Sequence, residues 1–184
     1  MADSIIVLDR DGVINLDSPD YIKSAGEWVP LPGSIQAIAS LSQAGHKIYV
    51  ATNQAGLARQ KFYLTDLEAM HAKLLRLVGA AGGQVEKIFF CPHHPDAACE
   101  CRKPRPGLLN QIRQFHPGTI GTFTFVGDSV KDIDAAIAGN AEPVLVLTGN
   151  GTATLKVVQQ RALAIEVYSD LAAFAKARIS AFRL

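Results

Sequence analysis

Apolar and polar positions along this chain alternate between two periodicities. Short apolar runs recur at 4–8, 47–51, 86–91, 122–127, 143–147 and 165–168. Runs of that length, bounded by Gly, Pro, Asn or Asp, read as strands, and the uninterrupted ones as strands buried on both faces. The segments between them carry helical spacing. Ser34 to Ala44 puts Ile35, Ile38, Ala39 and Leu41 on one stripe and stops at Gly45. Thr65-Asp66-Leu67-Glu68 reads as a capping box that opens a helix running to about Val78. Further helices are expected from Arg105 to Phe115, with Pro106 in the first turn and Pro117 beyond the end, from Ser129 to Ala138, stopped by Gly139, and from Leu171 to Ile179, with Asp170 as N-cap. Alternation of strand and helix predicts a doubly wound α/β sandwich on a parallel sheet, in a single domain over 1–184. Asn15 to Pro32 has weak periodicity and predicts a long loop, which in a compact domain is often functional. Neither the interval from Asp9 to the second strand nor that from Thr52 to Lys103 leaves room for a separate cap domain.

Composition narrows the picture. At 184 residues, with 48% hydrophobic and 19% charged positions, the chain is an ordinary globular protein with a sizeable core. A net charge of +1 with scattered basic residues argues against an extended nucleic-acid surface, although a small anion pocket needs only a few cations. No apolar stretch approaches the ~20 residues that cross a bilayer, and aspartates flank the first apolar run, unlike a signal peptide. The expected compartment is the cytoplasm, without membrane association. Three cysteines within eleven residues look unlike a disulfide framework and more like metal ligands.

Four clusters carry candidate chemistry. Strand 4–8 runs into Asp9-Arg10-Asp11-Gly12, two carboxylates one residue apart at the expected carboxyl end of a strand, where α/β proteins bind ligands. Such a pair can hold a hard cation and leave an oxygen free to attack an electrophile, or it can simply be an acidic turn. After the second strand, Ala51-Thr52-Asn53-Gln54-Ala55-Gly56 offers a hydroxyl and amides to phosphoryl oxygens, or an ordinary Asn/Gly turn. Cys91, His93, Cys99 and Cys101 form a Cys-x-His-x5-Cys-x-Cys set that suits a closed, tetrahedral, structural Zn2+ site, with incidental thiols as the alternative. Arg102-Lys103-Pro104-Arg105-Pro106 follows at once, either a solvated basic turn or a lysine held in place between the metal loop and a helix. Last, Phe125-Val126-Gly127-Asp128-Ser129-Val130-Lys131-Asp132 ends a strand and starts a helix, so Asp128 is either a metal ligand or an N-cap.

In order and spacing these clusters resemble the four motifs of the haloacid dehalogenase (HAD) superfamily, over roughly residues 5–140. The Thr-Asn-Gln-x-Gly form with a zinc loop is similar to the branch that holds heptose bisphosphate, histidinol-phosphate and polynucleotide 3′-phosphatases. The resemblance implies a capless HAD-like Rossmannoid fold with a zinc-stabilised loop. It also implies a Mg2+-dependent phosphatase: Asp9 as nucleophile, Asp11 as general acid and base, Thr52 and Lys103 stabilising the phosphoryl group, and Asp9, Asp11 (through its carbonyl) and Asp128 holding Mg2+. Zn2+ would be held by Cys91, His93, Cys99 and Cys101, which leaves His94 as a plain loop residue. Asp132 would orient Lys103 or a metal-bound water, and Lys131 is either a helix-surface charge or a substrate contact.

Substrate contacts implied by the heptose-bisphosphatase resemblance are Asp17, Ser18, Pro19 and Asp20, then Thr52, Asn53, Gln54 and Ala55, then Arg102 and Lys103; Arg105 falls on the surface. Two departures from that family stand out, the short zinc loop and Ser129 where relatives carry a charge. The expected substrate is a small sugar bisphosphate, D-glycero-D-manno-heptose 1,7-bisphosphate, losing its 7-phosphate in lipopolysaccharide-core heptose synthesis, and the protein would be a monomer. Histidinol phosphate is the alternative substrate, and a non-catalytic zinc-stabilised binding module is the alternative of another class.

Overall fold

The computed structural model describes residues 3–182. Six strands form one parallel sheet: β1 (Asp3–Leu8), β2 (Lys47–Asn53), β3 (Lys87–Cys91), β4 (Ile120–Gly127), β5 (Glu142–Val146) and β6 (Glu166–Tyr168), in the spatial order β3-β2-β1-β4-β5-β6. Helices α1 (Ser34–Gln43), α2 (Leu64–Ala80), α3 (Gly107–Phe115), α4 (Val130–Ala138), α5 (Gly151–Gln160) and α6 (Leu171–Phe182) link and cover it.

The middle of the sheet is buried on both sides because Ile5–Leu8 of β1, Ile48–Ala51 of β2 and Val144–Val146 of β5 are unbroken apolar runs. Along β1, Ile6 and Leu8 join a cluster with Ile38 and Leu41 of α1, Leu67, Met70 and Leu74 of α2, and Phe174 of α6. Ile5 and Val7 face the other way, onto Leu108, Leu109 and Ile112 of α3 and Ala135 and Ala136 of α4. This is the alternation a two-residue period demands, with a hydrophobic layer waiting on each face. No helix among the described residues is long and apolar enough to cross a membrane.

Strand order reverses direction at β1 and β4: the chain winds outward from β1 through β2 to β3, returns to β4, and winds outward again. Ligands of open α/β sheets bind at such a switch point, beyond the carboxyl ends of the strands. Asp9 and Asp128 leave the two strands that flank it.

Local structure departs from the sequence expectations in a few places. Helix α2 begins at Leu64, and its box pairs Tyr63 N–H with the Asp66 carboxylate at 2.8 Å rather than using Thr65 and Glu68. Pro106 stands at the N-cap of α3, so that helix begins at Gly107. A 3-10 turn, Pro95–Ala97, lies inside the cysteine loop. Helix α5 was not expected, since Gly149 and Gly151 bracket its start and Thr152, Thr154, Val157 and Val158 lower its propensity. Tertiary burial of Thr154 and Val158 secures it. Asp170 caps α6 as expected, accepting from Ala173 N–H at 2.8 Å.

The 15–32 segment is a loop with a tied neck. Leu16 N–H donates to Val29 O, and Leu31 N–H to Ile14 O, both at 2.9 Å. Trp28 is fully buried beneath it, and Lys73 of α2 donates to the carbonyls of Ala25 and Trp28 at 2.7 Å each. The loop is therefore a built wall.

Candidate active site

Every element that ends at the switch point delivers one polar group to a cavity of about 410 Å3. β1 delivers Asp9, β2 delivers Thr52, the segment after the cysteine loop delivers Lys103, and β4 delivers Asp128. Asp9 Oδ1 accepts the Arg10 N–H at 2.7 Å and meets Lys103 Nζ at 2.8 Å, while no described residue donates to Oδ2. Lys103 Nζ also pairs with Asp132 at 2.6 Å and donates to Ala51 O at 3.0 Å. Asn53 grips the lysine's backbone from both sides, its amide donating to Lys103 O and its oxygen accepting Lys103 N–H, each at 3.1 Å. The ammonium is thereby fixed in place.

Competition between capping and metal binding at Asp128 resolves through its neighbours. Ser129 takes the N-cap position of α4, and Asp132 closes the box by accepting Ser129 N–H at 3.0 Å and Ser129 Oγ–H at 2.7 Å. Asp132 is thus spent on the cap and on Lys103. Asp128 is free of the helix and is held by the β5–α5 loop instead: Asn150 N–H donates to Oδ2 at 2.7 Å and its side-chain amide at 3.3 Å. No described residue donates to Oδ1.

Three carboxylates, those of Asp9, Asp128 and Asp132, lie within 4.8 Å of one another around a single buried ammonium, which leaves two negative charges uncompensated. Burial pushes Asp9 well above the ordinary carboxylate range, the carboxylates of Asp132 and Asp128 push the same way, and Lys103 opposes them. Burial and Asp132 likewise lift Asp128 to about 6, against the donors of Asn150 and Lys103. Lys103 is held above its ordinary value, because Asp132 and Asp9 outweigh the cost of its burial. A hard divalent cation beside Asp9 and Asp128 removes this imbalance, and the two oxygens without donors suit its preference for oxygen ligands.

Asp11 sits apart from that cluster. Its carboxylate accepts Arg10 Nε at 3.0 Å and Nη2 at 3.1 Å, Asn15 Nδ2 at 2.9 Å and Gln54 Nε2 at 3.0 Å. Burial raises it, but Arg10 and the two amides prevail and hold it below the usual carboxylate value.

The cysteine loop has the dimensions of a zinc site. Cys91 Sγ to Cys99 Sγ and Cys99 Sγ to Cys101 Sγ are both 3.6 Å, and His93 Nδ1 lies 3.6 Å from Cys91 Sγ and 3.3 Å from Cys101 Sγ. Tetrahedral bonds of about 2.3 Å place sulfurs about 3.8 Å apart. The four donors fit Zn2+, and His94 is elsewhere, accepting from Asp96 N–H at 3.3 Å. Arg105, expected only as surface, clamps the loop by donating to the carbonyls of Ala98 and Cys99.

Of the expected substrate-facing residues, Asp17, Ser18, Thr52, Asn53, Gln54, Arg102 and Lys103 line the cavity. Pro19, Asp20 and Ala55 are not among its lining residues: Asp20 is exposed and paired with Lys23 and Lys61, and Ala55 is buried beneath the turn. Lys131 lines the cavity together with Tyr21, Ile22 and Asn150. Arg102 Nη1 is buried and has no partner among the described residues. The arrangement can take a phosphoryl group between Asp9, Thr52 and Lys103, with cationic side chains left over at the mouth.

Sequence reasoning missed the β5–α5 loop. Gly149 has φ of +56°, and a Cβ there, as at Gly12, would run into Asp128 Oδ2. Thr148 adds a hydroxyl donor to Gly12 O at 2.6 Å. The Gly-Asn-Gly run was the available signal. Gly149→Ala is expected to displace Asp128 and weaken divalent-cation binding by about 10-fold or more, read by Mn2+ titration of the protein; unchanged binding would remove this loop from the site.

Residues 100–173 match the HAD-hydrolase-like family. The chain is 53% identical over 178 residues to the D-glycero-beta-D-manno-heptose-1,7-bisphosphate 7-phosphatase of Pseudomonas aeruginosa, covering 96% of this chain and 98% of the relative. It is 52% identical to the Pseudomonas putida protein of the same name, over 94% and 97% of the two chains. Its fold is similar to the crystal structure of D,D-heptose 1,7-bisphosphate phosphatase from Bordetella bronchiseptica complexed with magnesium and phosphate, with a TM-score of 0.90, 45% identity, and 97% and 99% of the two chains covered.

Proposed function

This chain belongs to the D-glycero-β-D-manno-heptose-1,7-bisphosphate 7-phosphatase family of HAD-like hydrolases, and from that membership we propose the roles its residues play. The reaction is hydrolysis of the 7-phosphate of the heptose bisphosphate, and the β anomer is the form that the relatives' names favour. The observation that carries the assignment is the meeting of Asp9 and Lys103 at 2.8 Å at the switch point, beside an Asp128 freed from capping by Ser129.

Asp9 attacks phosphorus in line; a bond from its oxygen to phosphorus forms as the bond to the sugar oxygen breaks. Asp11, which must release one of its four donors to carry a proton, gives that oxygen its proton. Water then attacks the aspartyl-phosphate, giving a proton back to Asp11 and releasing Asp9. Lys103 and Thr52 face the phosphoryl oxygens throughout. Asp9, Asp128 and the Asp11 carbonyl would hold Mg2+, which when bound supplies positive charge against the phosphate oxygens. Cys91, His93, Cys99 and Cys101 would hold Zn2+ and stiffen the segment that leads into Lys103.

Arg102 and Lys131 are the cations left for the rest of the substrate. The chain is read as one domain, since α6 folds back to pack beside α1 in the same core as the N-terminal strand. The proposed state is a monomer in the cytoplasm; no helix among the described residues is long and apolar enough to cross a membrane.

The test is phosphate release, with and without Mg2+, from both anomers of the heptose bisphosphate and from histidinol phosphate. Mg2+-dependent turnover favouring the β-bisphosphate by about 100-fold is expected, since buried polar groups reject a substrate that leaves them unpaired. Preference for histidinol phosphate would keep the chemistry and overturn the substrate.

A further inference from the structure

We propose that Arg10 and His71 are positioning residues that aim the Asp11 carboxylate. This rests on Asp11 being the acid–base group. Arg10 stands between the two aspartates and spends its side chain on Asp11 and His71, with only 1% of its surface exposed. Its Nε and Nη2 form a two-point fork on Asp11, the geometry a guanidinium offers and an ammonium does not. Among the described residues it is the one cation in contact with that carboxylate.

The other end of the fork reaches α2, where Arg10 Nη1 lies 3.5 Å from His71 Nε2. A guanidinium can only donate, so Nε2 must accept and the ring hydrogen must sit on Nδ1. Burial and Arg10 itself depress His71 to about 4, so the ring is neutral at working pH and able to accept. Phe90 of β3 packs on the imidazole at a centroid distance of 5.9 Å, which fixes its plane. A chain of contacts therefore runs from β3 through His71 and Arg10 to Asp11.

Each Asp11 oxygen receives two donors, one from the fork and one from an amide, Asn15 on Oδ1 and Gln54 on Oδ2. The fork sets where the carboxylate points, and an acid displaced by about 1 Å loses about 100-fold in rate.

The experiment compares kcat/KM for the bisphosphate and for its analogue with sulfur bridging C7 and phosphorus. The ratio reports steps only as far as departure of the leaving group, and a thiolate leaves without a proton. Arg10→Lys, which keeps the buried charge, is expected to lose about 100-fold on the oxygen ester, and His71→Leu about 10-fold, with both within about 3-fold of wild type on the sulfur ester. His71→Gln, which restores an acceptor, should keep the wild-type ratio. Equal losses on both esters would mean a merely structural role and overturn the inference, as would no loss on either. A His71→Gln ratio equal to that of His71→Leu would overturn the acceptor role. Asp11→Asn serves as reference: if it loses equally on both esters, the acid–base role of Asp11 fails, independently of Arg10 and His71.

Discussion

Asp9→Asn is expected to lower turnover by about 10⁴-fold or more, the scale seen when a nucleophile is removed from a site whose other groups remain. The replacement is isosteric, and its amide oxygen can still accept from Arg10 N–H and Lys103, whose contacts to Asp9 Oδ1 are 2.7 and 2.8 Å. The fold is therefore expected to survive. Without metal the variant should melt at the same temperature or higher, because Asp9 shares one ammonium with Asp132 and Asp128, and removing its charge relieves that repulsion. Each kcal/mol relieved is worth about 2–4 °C in a protein of this size. Phosphate-release assays and metal-free calorimetry check both halves. Turnover near wild type would rule out Asp9 as nucleophile; a metal-free melting point well below wild type would mean that its charge serves the fold.

Removal of zinc is the second large effect. The loop from Cys91 to Cys101 contains one 3-10 turn, no buried apolar side chain beyond Cys91 itself, and a fold held by Arg105 contacts to its carbonyls. Its order therefore depends on the four ligands, and metal binding free energy at such a site is folding free energy. A chelator-stripped sample is expected to melt lower by on the order of 10 °C, corresponding to a few kcal/mol, and added Mg2+ should not restore it. Activity should fall with it, since Lys103 stands two residues beyond the last ligand. Equal melting of the zinc-bound and stripped protein would mean that the thiols are not a structural metal site.

Most of the site was legible in the chain because its parts are local. Asp9 and Asp11 follow an unbroken apolar run, the four thiol and imidazole groups that could hold a metal lie within eleven residues, and Gly-Asp-x-x-x-Asp marks a strand-to-helix turn. What was hidden depends on contacts across the fold. His71 is separated from Arg10 by 61 positions and carries no motif. The residues alone left Asp128 between metal and helix cap, and the family resemblance gave it to Mg2+. The cap itself became visible only in the contacts of Ser129 and Asp132, which close it without Asp128. Asn53 offered an amide that suits a phosphate, yet both ends of that amide grip Lys103, a pairing that no spacing rule announces. Helix α5 escaped because glycines and β-branched residues mask a helix whose stability comes from burial rather than propensity.

The central place of β1 also governs how the chain is made. It pairs with β2 on one side and with β4 on the other, and β4 ends at Gly127. During synthesis a chain that has emerged only through α3 can pair β1 with β2 and β2 with β3, while the opposite edge of β1, apolar on both faces over Ile5–Leu8, stays open to any passing strand. Until β4 emerges, the nascent protein carries an adhesive edge at what will be its middle, and Asp9 has no Asp128 beside it. Solubility and catalysis thus arrive together, when the fourth strand docks.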